Sequence, residues 1–179
     1  MQNFRYGELV INFFRSKNIE ARHFPKKVSG KKPDFVLFLN DNIFGYCELK
    51  SIVDYDLYGE RHDSTYNKIQ NKIHEASNQF TASNSHHTLP NILFFINHCV
   101  KISFQNLWYV LTGQTTSPNL LTEPIDLRYL QRLIRKNDLI NIDYIIWTNT
   151  YKSMTSFILN QESNFTEQLK NNISSKAYE

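Results

Sequence analysis

The stretch Pro33-Asp34-Phe35-Val36-Leu37-Phe38-Leu39-Asn40-Asp41-Asn42-Ile43-Phe44-Gly45-Tyr46-Cys47-Glu48-Leu49-Lys50 decides the fold. Residues 34–39 are nearly all apolar, as expected for a strand covered on both faces. Asn40-Asp41-Asn42 supplies turn chemistry and 43–50 is a second strand-like run, so the two are expected to pair as an antiparallel hairpin. Side chains alternate across a strand, so Glu48 and Lys50 share one face while Cys47 and Leu49 point into the opposite layer. Asp34 lies at the outer end of the first strand, and Glu48 and Lys50 lie near the outer end of its partner. All three are expected to converge at one edge of the sheet.

Upstream of the hairpin, the apolar spacing over Phe4–Lys17 suits a helix, and Ile19–Phe24 suits a short strand. Pro25–Pro33 reads as a basic loop. Downstream, 51–64 is polar and tyrosine-rich. Ile69, Ile73, Ala76 and Phe80 then fall at steps of three or four, which predicts a helix over Thr65–Ala82. Ser83–Pro90 breaks that helix, and Asn91–Ile96 reads as a buried strand. Phe104–Leu111 and Leu127–Arg135 read as helices, Asp143–Trp147 as a late strand, and Phe157–Leu159 as another. From Asn160 onward Asn, Gln, Ser and Glu dominate, the composition of a marginal helix or a loose tail. The expectation is one domain over 1–160 with a C-terminal tail over 161–179. The order helix, strands, helix, strand makes it an α/β domain with a mixed sheet.

Two carboxylates at one sheet edge make an oxygen-rich site suited to Mg²⁺, which takes a few protein carboxylates, waters and substrate phosphate. Such an ion polarises a phosphoryl oxygen and makes a bound water more acidic. Lys50 beside them would orient the nucleophile or offset developing negative charge, and the carboxylates would hold it protonated. Phosphodiester hydrolysis needs these functions together. The bland alternative is a surface ion pair between Glu48 and Lys50, with Asp34 serving only the turn. Charges set into runs as apolar as YCELKSIV argue against it.

These residues resemble the PD-(D/E)xK nuclease superfamily, also called restriction-endonuclease-like. Pro33-Asp34 corresponds to the PD element and Glu48-Leu49-Lys50 to the ExK element. The resemblance covers roughly the first hundred residues. It implies an αβββαβ core, an Asp and a Glu that bind a divalent ion (Mg²⁺ or Mn²⁺), and a lysine that assists attack by water. Many members also carry a metal-proximal Glu on the first helix, and Glu8 stands there, flanking the apolar face. Some carry a Gln or Lys facing the site from the helix after the ExK strand. Lys68, Gln70, Lys72 and Gln79 are the candidates here, with Gln79 as a supporting residue. The implied activity is a metal-dependent endonuclease, on DNA rather than RNA because the superfamily acts mostly on DNA. A toxin-like ribonuclease and a non-cleaving nuclease-fold module that binds nucleic acid or protein are the alternatives.

Net charge is only +3, but basic residues cluster between Arg15 and Lys32. Lys26, Lys27, Lys31 and Lys32 in that loop, with Lys68 and Lys72, are candidate phosphate contacts. Two cysteines, Cys47 and Cys99, are too few for a disulfide scaffold, which favours a reducing, cytoplasmic setting. Both read as core residues. His62, His86 and His87 lack the ligand spacing of a zinc site and read as loop histidines. Ser51 reads as a strand-end hydroxyl. Tyr55, Tyr58, Arg61 and His62 are candidate nucleic-acid contacts, equally consistent with a loop packed on the sheet. No run reaches membrane-spanning length, and no glycine-rich phosphate loop exists, which removes ATP-driven motor activity. Cutting both strands of a duplex is simplest with two centres, so a homodimer is an expectation.

Overall fold

A computed structural model describes residues 2–25, 30–53, 62–113, 136–151 and 154–174. Helix α1 (Gln2–Arg15) leads into β1 (Glu20–His23), β2 (Phe35–Leu39) and β3 (Asn42–Ile52). Helix α2 (His62–Ser83) connects β3 to β4 (Asn91–Asn97). After β4 come α3 (Phe104–Thr112), α4 (Lys136–Ile140), β5 (Tyr144–Asn149) and β6 (Met154–Leu159). A short α5 (Thr166–Leu169) runs into a π-helical turn, Lys170–Ser174. The helix expected at Leu127–Arg135 lies outside the described residues.

The strands form one mixed sheet in the order β1-β2-β3-β4-β5-β6. The outer pairs are antiparallel, while β3, β4 and β5 run parallel. The hairpin forms as expected, with Phe35 opposite Cys47 and a register irregularity between Leu37 and Phe38. Asn40 and Asp41 take positive φ at the turn, where short polar side chains tolerate it.

Helices cover both faces of the sheet. On one face Val10 and Phe14 of α1 pack with Phe35, Leu37, Cys47, Phe94 and Ile146. On the other, Ile69, Ile73, Ala76 and Phe80 of α2 pack with Ile52, Leu93, Phe95 and Trp147. The α2 spacing read from sequence is therefore its buried stripe. All seven residues of β4 are buried, because both faces are covered at the sheet's centre. β2 differs from expectation: Phe35 and Leu37 are buried, but Val36, Phe38 and Leu39 are only half-buried. It lies one strand from the sheet edge, where cover is thinner. Gly45 is needed on β3, since a Cβ there would meet the Pro90 carbonyl oxygen at 2.6 Å, and that same oxygen accepts the Tyr46 N–H at 2.9 Å.

The C-terminal stretch is helical but not loose. Leu169 and Ile173 are fully buried in the α1-side core, although the residues around them are polar. Two apolar residues four apart present one face, and that suffices to dock the segment. Ile173→Ala should cost about 2–5 kcal/mol of stability. Urea unfolding measures this; a midpoint unchanged from the parent would show that the segment is not docked.

Candidate active site

Asp34 immediately precedes β2, just beyond the last paired position, Phe35 opposite Cys47. Side chains take over there from the backbone ladder. The Asp34 N–H donates to Glu48 Oε2 at 3.1 Å, and the Leu49 N–H donates to Asp34 Oδ2 at 2.9 Å. On its other side the Asp34 carbonyl accepts the Phe24 N–H at 2.8 Å. Among the described residues, β3 beyond this point runs on to Ile52 paired only with β4. Among those residues the outer edge of β3 over 48–52 is thus left as a notch, with both acids at its corner.

Glu48 and Lys50 project toward α2, while Cys47 and Leu49 belong to the α1-side core, so the alternation expected from sequence holds. Lys50 Nζ lies 2.9 Å from Glu48 Oε1, and 3.2 Å from both Glu75 Oε2 and Gln79 Oε1. The Gln79 amide in turn donates to the Lys32 carbonyl at 3.0 Å. Gln79 therefore ties the lysine to the loop that leads into Pro33.

Glu48 is only 2 % exposed. Burial, and next the neighbouring Asp34 charge, push its carboxyl up to about 7, against the pull of Lys50 and Gln79. Lys50 is raised, because attraction to Glu48 and hydrogen bonds to Glu48 and Glu75 outweigh its own burial. The same two carboxylates add to burial in raising the Cys47 thiol well above its usual value, which makes it a poor nucleophile.

Among the described residues, no three His, Cys, Asp or Glu side chains come together as a metal cluster. The donor set is a pair. Asp34 is exposed, and its Oδ1 has no hydrogen-bond partner among the described residues. Glu48 Oε2 accepts the Asp34 N–H and Oε1 meets Lys50, with Gln79 also acting on the carboxylate, and lone-pair capacity remains. Two carboxylates with open positions fit Mg²⁺, which keeps several waters and binds phosphate. They do not fit zinc, which wants three or four nitrogen or sulfur donors. A cation there would also favour the charged form of a carboxylate that burial and Asp34 now disfavour.

Glu8 is exposed on α1 and lies outside the lining of the cavity beside Asp34. The α1 residues that line that cavity are Tyr6 and Gly7. Lys68 and Lys72 lie at helical spacing from Glu75 and Gln79, so they extend the site-facing stripe of α2. Lys31 is exposed, and Lys32 Nζ donates to the Pro25 carbonyl at 2.7 Å. Lys26, Lys27, Tyr55, Tyr58 and Arg61 lie outside the described residues.

Glu75 was not singled out from sequence. The signal was its place four residues before Gln79, on the same helix face. His87 has a structural role: its Nε2 lies 2.8 Å from Asp143 Oδ2, which also accepts the Asn91 N–H at 2.7 Å. Ser163 donates to the other Asp143 oxygen at 2.5 Å. That hydroxyl meets the carboxylate and not the imidazole, so the trio is not a nucleophile with its base. It clamps the opposite end of the sheet, beside a cavity of about 600 Å³ lined by both apolar and polar side chains. The rim of that cavity includes Leu111 and Leu139, on either side of the stretch 114–135 outside the described residues.

No protein-family model matches the chain, and no significantly similar curated protein or solved structure is found. No described helix is long and apolar enough to cross a membrane.

The raised Glu48 carboxyl sets a pH dependence. Between its ordinary value of 4.5 and about 7 the folded protein holds this proton more tightly than the unfolded chain. Stability without metal should therefore fall as pH rises through that window, by on the order of 2–3 kcal/mol. The raised Lys50 acts only at much higher pH. Urea unfolding in chelator at pH 5 and pH 8 reads the loss, and Glu48→Gln should flatten it. An equal slope in the two proteins would place the titration elsewhere.

Proposed function

We propose that the chain is a divalent-metal-dependent nuclease of the PD-(D/E)xK, restriction-endonuclease-like type, hydrolysing phosphodiester bonds of nucleic acid at the corner of β2 and β3. The observation that carries this reading is the bonded set Asp34–Glu48–Lys50, with one carboxylate exposed and the other buried against the lysine. The strand order is compatible: three antiparallel strands after α1, then α2 and a strand parallel to β3.

Asp34 and Glu48 would hold Mg²⁺ or Mn²⁺, which when bound supplies charge neutralisation at the phosphate and a more acidic water. The rest of the chemistry belongs to this chain. Lys50 is held charged by two carboxylates, so it offers a fixed positive group at the notch and not a general base. Its work is to orient the attacking water and to offset charge that grows on the phosphoryl oxygens. Gln79 keeps the ammonium in place through the Lys32 carbonyl. Lys31, Lys32, Lys68 and Lys72, with Lys26 and Lys27 of the same basic loop, are proposed to neutralise backbone phosphates. DNA is preferred to RNA on the superfamily resemblance alone. Glu8 is retained as an auxiliary acid that would act through water, since it is exposed on the helix whose preceding residues border Asp34.

With plasmid, branched DNA and tRNA as substrates, cleavage of the DNA ahead of tRNA with Mg²⁺ or Mn²⁺, and none in chelator, is the expected result. Asp34→Asn and Glu48→Gln should each lower the rate by at least about 10²-fold, and Mn²⁺ binding by calorimetry should weaken in both while circular dichroism stays folded. Undiminished cleavage by Glu48→Gln would exclude this centre. Nucleic-acid binding with no cleavage under any metal would favour the non-cleaving module.

A further inference from the structure

The notch continues onto the α1 face of the sheet as a second space that the proposed chemistry does not use. This cavity of about 260 Å³ is lined by Tyr6 and Gly7 of α1, His23 at the end of β1, Asp34, and Leu49 and Ser51 of β3. Glu48 and Lys50 point to the other side of β3, so Asp34 is the one acid shared by the cavity and the proposed centre.

Its walls include the rings of Tyr6, His23 and Phe35. The His23 ring lies against Phe35, centroids 4.7 Å apart and 32° from parallel. The Tyr6 ring lies against His98 at 4.5 Å and 35°, and His98 Nδ1 is within 3.1 Å of the Thr150 hydroxyl. Gly7 lets α1 come close, since a Cβ there would meet His23 Cε1 at 3.3 Å. Ser51 adds a hydroxyl that donates or accepts. The space is a little below the roughly 300–1,000 Å³ of a drug-sized ligand site. That is comparable with the size of one base and its sugar.

We propose that this cavity is a nucleoside subsite, which takes an unpaired base and sugar next to the scissile phosphate held at Asp34. The inference rests on the nuclease reading of the adjoining centre and names its substrate class: strands with an unstacked nucleotide at the cut, such as single strands, flaps or branch points, ahead of continuous duplex. Base–aromatic stacking tolerates any sequence, because every base offers a π-face. Taking a base out of a duplex costs a few kcal/mol, and an already unpaired base avoids most of that cost.

The test uses the full chain with Mn²⁺ and one oligonucleotide, presented as a single strand, as a perfect duplex, and as single strands carrying one abasic residue walked across the cut site. The single strand should be cut with the higher kcat/KM. An abasic residue at one position beside the cut should raise KM about five- to hundredfold, the range expected for losing one stacked base. His23→Ala, an exposed position on an edge strand, and Ser51→Leu, which fills the space, should each raise KM for the intact single strand and shrink the abasic penalty. Duplex cut as fast as single strand, or an abasic penalty unchanged in both variants, would overturn the subsite while leaving the nuclease reading intact. If Glu48→Gln cuts as well as the parent, or the parent cuts nothing, the nuclease reading fails and the subsite goes with it.

Discussion

The exchange of hydrogen bonds between Asp34 and the Glu48–Leu49 segment is the contact on which the rest of the site depends. Backbone pairing between β2 and β3 ends at Phe35, and two carboxylates complete it. Had Asp34 continued the ladder through its backbone, β2 would cover the outer edge of β3 and no notch would exist. Using side chains as acceptors lets the strands part while the Asp34 and Leu49 N–H groups keep partners. The same exchange sets the two acids side by side, so the geometry that opens the edge also concentrates negative charge there.

Everything around this corner serves to hold it. Parallel strands β3, β4 and β5 present their C-terminal ends on the same side, where open α/β sheets characteristically leave a crevice. Asn97 at the end of β4 closes that side by reaching the Cys99 and Ile102 carbonyls and Asn149 Oδ1. Trp147 adds a bond to the same Asn149 oxygen at 3.0 Å. The opposite end is sealed by Asp143, whose carboxylate gathers a backbone N–H, an imidazole and a hydroxyl. A sheet fixed at both ends gives a corner residue little freedom, and preorganised charge requires that rigidity.

Much of this was legible in the residues, for identifiable reasons. The hairpin was readable because a polar turn separates two strand-like runs, and α2 because four apolar residues keep helical spacing. The sharing of a face by Glu48 and Lys50 follows from strand geometry alone. Cover of β2 was misjudged because FVLFL carries no mark of its place in the sheet, which topology decides. The docked C-terminus was hidden by a polar average, although Leu169 and Ile173 had the right spacing. Glu75 carried a signal, its place four residues before Gln79, but its bond to Lys50 and the Tyr6–His23 cavity were out of reach for another reason. They arise where separate elements meet, at distances that only packing sets.

The burial of Glu48 is the hardest feature to explain as architecture. A carboxylate and an ammonium taken out of water together lose hydration that their attraction repays only with excellent geometry, and well-packed apolar residues of similar size are often as stable or better. This site goes further from neutrality: Glu48 sits beside a second acid, and Lys50 answers to two acids and an amide. Around it β3 is otherwise apolar enough to have supplied a Leu or Val at either place. Local rules broken in the middle of an otherwise consistent strand mark positions kept for something other than stability. On the nuclease proposal, a divalent cation held by Asp34 and Glu48 would relieve that conflict, because it would favour the charged form of the buried carboxylate.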